Sequence, residues 1–194
     1  MTDEPTVATL DLDQAELALN PTRTRVWAPI GVPWEVETPG DNKKQPIFGA
    51  VNTKTGETHF ALKTHKRSKD LQEFLDREVL PHYVEADFVF INVDGSSIYK
   101  SKSTTEWLKD HPQVIFVPLP SYAPKLNLQE HLWRWMRAEV THNHFFGTFA
   151  ALVEAAKRFF ARLAEKPELV LQRIGRAFDS LVEHHLATIT CITL

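Results

Sequence analysis

The feature that most constrains the fold is an apolar run, Phe88–Val93, that stops abruptly at Asp94-Gly95. A continuous apolar run of this length that ends at a turn signal is typical of a buried strand. A second apolar run, Val114–Val117, is closed by Pro118 and Pro120 and predicts another strand. We therefore expect two buried strands, with Asp94 at the end of the first.

The segment between these strands is polar and begins with helix-capping residues. It predicts a short helix over Ser101–Asp110. A strand, a helix and a second strand form the unit that makes parallel strand pairs. The turn-rich loop Ser121–Asn127 follows, and Asn127 is expected to cap a helix over Leu128–Val140. Glu130 would then lie in the first turn of that helix.

The remaining elements are predicted from alternation and helical spacing. Thr6–Asp13 alternates and predicts a strand with carboxylates near its end. Further strands are predicted at Trp34–Thr38, Ile47–Val51 and Thr58–Lys63, and helices at Ser68–Tyr83, Phe145–Leu163 and Pro167–Leu186. The pattern alone supports a mixed α/β domain.

Composition limits the other possibilities. A chain of 194 residues with 43% hydrophobic content is expected to form a single domain over residues 1–194, with a helical C-terminal part at 146–194. The net charge of −3 means that contacts to DNA would need local basic clusters. The single cysteine, Cys191, fits a reducing compartment. Without a signal peptide or a membrane-length apolar run, the protein is expected to be cytoplasmic, with no membrane partner.

The loop and helix around Glu130 carry a longer pattern. The segment YAPKLNLQEHLW, residues 122–133, is similar to the pattern Tyr-Ser-Pro-x-Leu-Asn-x-x-Glu-x-x-Trp, with Ala123 in place of Ser. Asn127, Glu130 and Trp133 fall in register. This is the third catalytic motif of DDE transposases of the mariner superfamily, and the chain most resembles the bacterial insertion-sequence-630 type.

The second motif of that family is matched by Asp94, although Gly95 replaces the usual Asn and Tyr99 the usual His. In the first motif, Pro21 and the segment WAPIG at residues 27–31 serve as anchors.

These anchors place the first catalytic acid at Asp13, with Gln14 in place of the usual Glu. Asp11 is the second candidate, because a residue two positions away on a strand points to the same face.

The resemblance implies an RNase H-like α/β fold, with a mixed sheet of about five strands flanked by helices and extra C-terminal helices. It also implies that Asp13, Asp94 and Glu130 are catalytic and bind Mg²⁺ or Mn²⁺, as two ions. Carboxylate oxygens suit such hard ions, and two-metal sites activate water and stabilise charge on phosphate. The implied activity is DNA cleavage and strand transfer at transposon ends, into a deformable TA-containing target.

The implied partners are DNA and, when active, a second copy of the chain in a homodimer. Family members carry N-terminal helix-turn-helix modules, which we expect to be absent here. Three explanations stay open: the chain is a fragment, it is one product of a split reading frame whose separate helix-turn-helix partner recognises the ends, or it is a decayed copy. Basic residues near the acids, Lys100, Lys102, Arg134 and Arg137, are expected to contact the DNA backbone.

Two alternatives remain open from the sequence. Glu130 and Arg134 stand at the spacing of an ordinary helix-surface ion pair, worth about 0.2–0.5 kcal/mol. The departures Gln14, Gly95 and Tyr99 favour a catalytically inactive RNase H-like module, derived from a decayed transposase, that binds nucleic acid or a protein.

Overall fold

A computed structural model describes residues 4–31, 35–120 and 126–175, and these contain a five-stranded mixed sheet in the order β3-β2-β1-β4-β5. The strands are β1 (Val7–Ala18), β2 (Lys44–Asn52), β3 (Thr58–Leu62), β4 (Phe88–Val93) and β5 (Val114–Pro118). β2 runs antiparallel to β1 and β3, whereas β4 runs parallel to β1 and β5. The predicted α/β fold with about five strands is confirmed.

Helices flank the sheet. They are α1 (Ser68–Phe74), α2 (Lys102–Lys109), α3 (Gln129–Met136), α4 (Phe149–Glu165) and α5, residues 167–175. α1 continues as a π-helical segment, Leu75–Val79, and a 3-10 turn, Leu80–His82; α3 continues as a π-helical segment, Arg137–Thr141. Within the described residues, none of the helices has the length and apolar character needed to cross a membrane.

The alternation of side chains along β1 divides the core between the two faces of the sheet. Leu10 and Leu12 pack in the cluster that contains the apolar residues of α1. Ala15 and Leu17 pack in the cluster that contains those of α3 and α4. Because residues two apart on a strand share a face, Asp11 and Asp13 lie on the α3 side.

The prediction that β1 ends at Asp13 was wrong, because the strand continues to Ala18. β1 pairs with β2 as far as Ala18, which lies opposite Lys44. The pairing of β1 with β4 stops earlier, at Asp11, which lies opposite Asn92. Asp13 is therefore a residue inside a strand, beyond the end of the neighbouring parallel strand.

The predicted strand Trp34–Thr38 was also wrong over residues 35–38, which form irregular structure. Residues 35–38 pair with no strand of the described sheet, so their residue pattern alone does not make a strand. Trp34 itself lies outside the described residues, as do residues 121–125 of the predicted loop.

Helix boundaries differ from the predictions by a few residues. α4 begins at Phe149 rather than Phe145, because the Thr148 side chain caps it by accepting a hydrogen bond from the Ala151 N–H. The predicted helix over Pro167–Leu186 is helical through residue 175, and its remainder lies outside the described residues. The assignment of residues 1–194 to one domain stays a prediction.

One close approach on β2 fixes the distance between the sheet and α3. Gly49 lies opposite Asp13 in the β1–β2 ladder. A Cβ atom built on Gly49 would lie 2.5 Å from Gln129 Nε2 and 2.6 Å from Trp133 Cη2, and both of those residues are fully buried. Only a residue without a side chain lets α3 lie this close to the strand.

We expect Gly49→Ala to lower the free energy of unfolding by about 1–3 kcal/mol, the usual cost of overpacking a filled core. Gly147→Ala is the matched control, since nothing lies within 4 Å of a Cβ atom there. Chemical denaturation of the two variants and the wild type measures the difference. Equal stability of the two variants would contradict the packing described for α3.

Candidate active site

The first two acids of the predicted site project from neighbouring parallel strands. Asp11 is the last β1 residue paired with β4, opposite Asn92. Asp13 lies two residues beyond Asp11, and Asp94 lies two residues beyond Asn92. The two carboxylates therefore leave adjacent strands at the same level of the sheet.

The third acid is brought to them by the docking of α3 on β1. Asp11 Oδ2 accepts a hydrogen bond from the Leu128 backbone N–H at 2.7 Å, and Asn127 Nδ2 donates to the Leu12 carbonyl at 3.0 Å. One turn further along, Trp133 Nε1 donates to Asp13 Oδ2 at 3.1 Å. These bonds hold the first turn of α3, which contains Glu130, beside Asp13.

The prediction that Asn127 is the N-cap was wrong by one position, because α3 starts at Gln129 with Leu128 as its N-cap, but the Asn127 side chain still bonds the start of the helix. Its Oδ1 accepts a hydrogen bond from the Gln129 N–H at 3.1 Å. A side-chain oxygen in this position satisfies a backbone donor that the first helical turn leaves unpaired. Asn127 thus connects the start of α3 both to its own helix and to β1.

The three acids influence one another electrostatically. Burial raises the pKa of Asp13 from 3.8 to about 6, and the negative charges of Asp94 and Glu130 raise it further toward that value. Hydrogen bonds from the Gln14 backbone and from Trp133 oppose this rise. Asp94 and Glu130 are therefore close enough to Asp13 for their charges to disfavour its ionised form, which is the condition that a bound cation relieves.

Asp11, the second candidate for the first acid, has different surroundings. It is only 2% exposed, and its two oxygens accept hydrogen bonds from Asn92 Nδ2 at 2.6 Å and from Leu128 N. Burial raises the pKa of Asp11, while these two bonds lower it. With both oxygens engaged by protein donors, Asp11 has a structural role, and the contacts favour Asp13 as the first acid.

Glu130 also contacts two of the arginines predicted to bind DNA. Its Oε1 accepts a hydrogen bond from Arg137 Nη2 at 2.8 Å, and Arg134 Nε lies 3.5 Å away. The ion pair with Arg134 expected from spacing is present, but the shorter contact is the one with Arg137. Glu130 is at once a partner of these cations and a source of negative potential at Asp13.

Two departures from the family pattern contact each other. Gln14 Nε2 donates to the Tyr99 hydroxyl at 3.2 Å, although the two residues are 85 positions apart. Tyr99 is 5% exposed, and burial raises its pKa well above the usual range. Sequence reasoning treated these residues as separate departures, and it missed their contact. The one available signal was that both belong to motifs whose acids were expected to meet.

The two lysines near Asp94 face solvent. Lys100 ends the 3-10 turn Ser97–Lys100, and Lys102 is the first residue of α2. The Lys102 side chain is 91% exposed, and its Nζ lies 4.0 Å from Glu106. Both ammonium groups can therefore reach a ligand outside the protein, and their role in binding DNA stays a prediction.

Comparison with known proteins decides the family. Residues 9–153 match the model of the DDE superfamily endonuclease family. The chain belongs to this family. A protein of Shigella sonnei described as the insertion element IS630 uncharacterized 39 kDa protein is 28% identical to it over 155 residues, which are 80% of this chain and 45% of the relative.

Solved structures show the same fold in this DDE family chain and in a transposase. A Mos1 transposase paired-end complex with left transposon end has a TM-score of 0.57 and 16% identity, over 86% of this chain and 55% of that one. A mariner Mos1 paired-end complex with Mg has a TM-score of 0.60 and 15% identity, over 90% and 55%. The predicted RNase H-like fold is confirmed. The chain spans about half the length of these relatives.

The raised pKa of Asp13 predicts how stability depends on pH. Because the folded-state pKa of about 6 exceeds the unfolded value of 3.8, folding favours protonated Asp13; this stabilisation is complete below about pH 4 and is lost as pH rises through 6. Asp13→Asn keeps an oxygen for Trp133 and removes the charge. We expect it to stabilise the protein at pH 7.5, by up to about 3 kcal/mol for a shift of this size, and to have little effect near pH 4.

Thermal melts of wild type and Asp13→Asn at the two pH values, without divalent ions, test this expectation. Asp110→Asn, at an exposed carboxylate that follows α2, is the matched control. If Asp13→Asn raises the melting temperature equally at both pH values, or lowers it at pH 7.5, the charge of Asp13 does not destabilise the folded protein and the expectation is wrong.

Proposed function

We propose that this chain is the catalytic part of a transposase of the insertion-sequence-630 and mariner type, which cuts DNA at transposon ends and joins them to a target. Asp13, Asp94 and Glu130 are its catalytic carboxylates. The observation that carries the proposal is the docking of α3 on β1, which brings Glu130 beside Asp13 while Asp94 follows the adjacent parallel strand. In a DDE endonuclease chain, such a cluster is best explained as a site for divalent cations.

The donor set fits Mg²⁺ or Mn²⁺. Three carboxylates offer only hard oxygen ligands. A cation would offset both the burial of the Asp13 charge and its repulsion by Asp94 and Glu130, which together raise the pKa of Asp13. Asp13, Asp94 and Glu130 would hold the metal, which we expect to be two ions. When bound, these would make a water molecule more acidic and stabilise negative charge on the phosphate.

The residues around the acids position them. Trp133 donates a hydrogen bond to one oxygen of Asp13. The hydrogen bond from Leu128 N to Asp11 positions the first turn of α3, and with it Glu130, against β1. Arg137 and Arg134 contact Glu130 Oε1. If Glu130 binds a cation instead, both guanidinium groups become available for phosphate oxygens, the ligand that arginine recognises well. This exchange would couple metal binding to DNA binding.

The contact between Gln14 and Tyr99 supports an active site over a decayed one. The family pattern has Glu and His at these positions, and here both are replaced by residues that hydrogen-bond to each other. The two replacements therefore give each other a hydrogen-bond partner. Gly95, the third departure, stands where the family pattern has Asn. Nothing lies within 4 Å of a Cβ atom built there, so a side chain at this position would disturb no contact of the fold.

The proposed partners follow from the same assignment. They are transposon-end DNA, a TA-containing target, a second copy of the chain in the active assembly and a helix-turn-helix polypeptide that recognises the ends. The proposed location is the cytoplasm, where bacterial DNA is accessible.

We expect the wild-type chain to nick supercoiled DNA in the presence of Mn²⁺ or Mg²⁺. Asp94→Asn and Glu130→Gln should reduce nicking by about a hundredfold or more, because each removes a carboxylate that a two-metal reaction requires. Both substitutions are nearly isosteric, so thermal melts should show a folded protein. Gel analysis of plasmid nicking, with calorimetric titration of Mn²⁺ as a second readout, measures the effect.

Glu106→Gln is the matched control, since this exposed α2 residue carries the same change away from the three acids. Equal nicking by all variants would show that these acids do not carry the activity. If the wild type neither binds Mn²⁺ nor cuts transposon-end DNA together with a helix-turn-helix partner, the inactive RNase H-like module becomes the better assignment.

DNA binding by the isolated chain should be weak, without sequence preference, and steeply dependent on salt. We expect Lys100→Gln and Lys102→Gln each to lower the slope of log affinity against log salt by about 0.9, the value for one lost phosphate contact. Lys54→Gln, in the exposed hairpin after β2, should leave the slope unchanged. Fluorescence anisotropy over a salt series distinguishes these cases, and tight sequence-specific binding by this chain alone would contradict the assignment.

A further inference from the structure

A second group of metal-ligating side chains lies away from the three acids. Glu57, His59 and His82 come together beside Tyr83. His59 lies opposite Ala50 in the β2–β3 ladder, and Ala50 belongs to the core cluster on the α1 side of the sheet. The hairpin that leads to Glu57 contacts the early part of β1. The group therefore lies on the opposite face from Asp13, toward the other end of β1.

The ligand atoms are near the spacing that a tetrahedral ion requires. His82 Nδ1 lies 3.1 Å from Glu57 Oε1, and His59 Nε2 lies 3.7 Å from the same oxygen. The three ligand atoms all lie within 4.8 Å of one another. Four ligands at Zn–N and Zn–O distances of 2.0–2.1 Å are about 3.3 Å apart. A small rotation of His82, whose side chain is 53% exposed, would complete this geometry.

The Tyr83 hydroxyl lies beside two acceptors of this group, His59 Nε2 and Glu57 Oε2. The Tyr83 hydroxyl lies 3.1 Å from His59 Nε2 and 3.2 Å from Glu57 Oε2, but it has one hydrogen to donate. The His59 ring also hydrogen-bonds the backbone of Glu78. Because Nε2 faces Tyr83 and Glu57, that bond is made by the other ring nitrogen. The lone pair of Nε2 therefore points into the group, as in histidines that bind metals.

Local structure fixes the two ligands of the hairpin. Asn52 Oδ1 accepts hydrogen bonds from Lys54 N at 2.9 Å and from Thr55 N at 3.1 Å, and Gly56 takes the left-handed φ of 77° that completes the turn. Glu57 follows this turn directly. The third ligand, His82, belongs to the 3-10 turn after α1. An ion bound by all three would link the β2–β3 hairpin to the end of α1.

We propose that Glu57, His59 and His82 form a binding site for one transition-metal ion of the Zn²⁺ class, with a water molecule as its fourth ligand. Two imidazoles and one carboxylate suit Zn²⁺, whereas Mg²⁺ prefers an all-oxygen set. The site is separate from the three catalytic carboxylates, and an ion bound there would join two elements of the fold. It does not depend on whether the chain cuts DNA.

Calorimetric titration of the whole chain with Zn²⁺ in excess Mg²⁺ tests the site, together with the absorption spectrum of Co²⁺ added in its place. We expect one Zn²⁺ per chain, a tetrahedral Co²⁺ spectrum and a higher melting temperature with Zn²⁺. His82→Ala and Glu57→Gln should each weaken binding by about tenfold or more, because even second-shell changes at metal sites cost this much.

Two controls separate this site from other ligands. His65→Ala removes an exposed histidine outside the group, and Asp94→Asn changes the three-acid site; both should bind Zn²⁺ as the wild type does. His59 is buried, so the exposed His82 is the decisive position if His59→Ala fails to fold. Unchanged Zn²⁺ binding in the His82→Ala and Glu57→Gln double variant, or loss of binding in Asp94→Asn alone, would overturn the proposal.

Discussion

The hydrogen bond from the Leu128 N–H to the buried carboxylate of Asp11 is the interaction on which the candidate active site depends. A buried carboxylate is costly unless donors satisfy it. Asp11 is satisfied from two directions, by Leu128 at the start of α3 and by Asn92 on β4. The Asp11 side chain of β1 thereby holds both the start of α3 and the end of β4. If this bond were lost, Glu130 and Trp133 would move together, because both are carried by α3.

The sequence predicts a strand best when the residues of that strand alone form the pattern, whatever strand it pairs with. β4 has the predicted bounds, Phe88–Val93, since it lies between β1 and β5 and reads as one apolar run. The length of β1 could not be predicted in this way, because its last residues are held by pairing with β2 alone. Residues 35–38 pair with no strand of the described sheet. Local propensity does not report whether a segment finds such a partner.

The candidate acids could be predicted from motif spacing, but their contacts could not. Trp133 and Asp13 are 120 positions apart, and Gln14 and Tyr99 are 85 apart, so no local pattern connects them. The contact of Glu130 with Arg137 is easier to predict than these long-range contacts, because residues seven apart share a helix face. Spacing favoured Arg134, yet Arg137 makes the shorter contact. Asp94 and Glu130 lie near enough to act on the charge of Asp13, and the catalytic role of the three acids remains the proposal.

Asp11 and Asp13 show why pattern alone left the first acid undecided. They share a strand and a face, and burial raises the pKa of each. What differs is the residue presented by the strand alongside: Asn92 donates a hydrogen bond to Asp11, whereas Asp94 adds a negative charge near Asp13. The amide of Asn92 makes the Asp11 carboxylate a structural contact. The carboxylate of Asp94 instead repels that of Asp13, and a proton or a cation would relieve this repulsion. Folds keep such local conflicts mainly where function requires them.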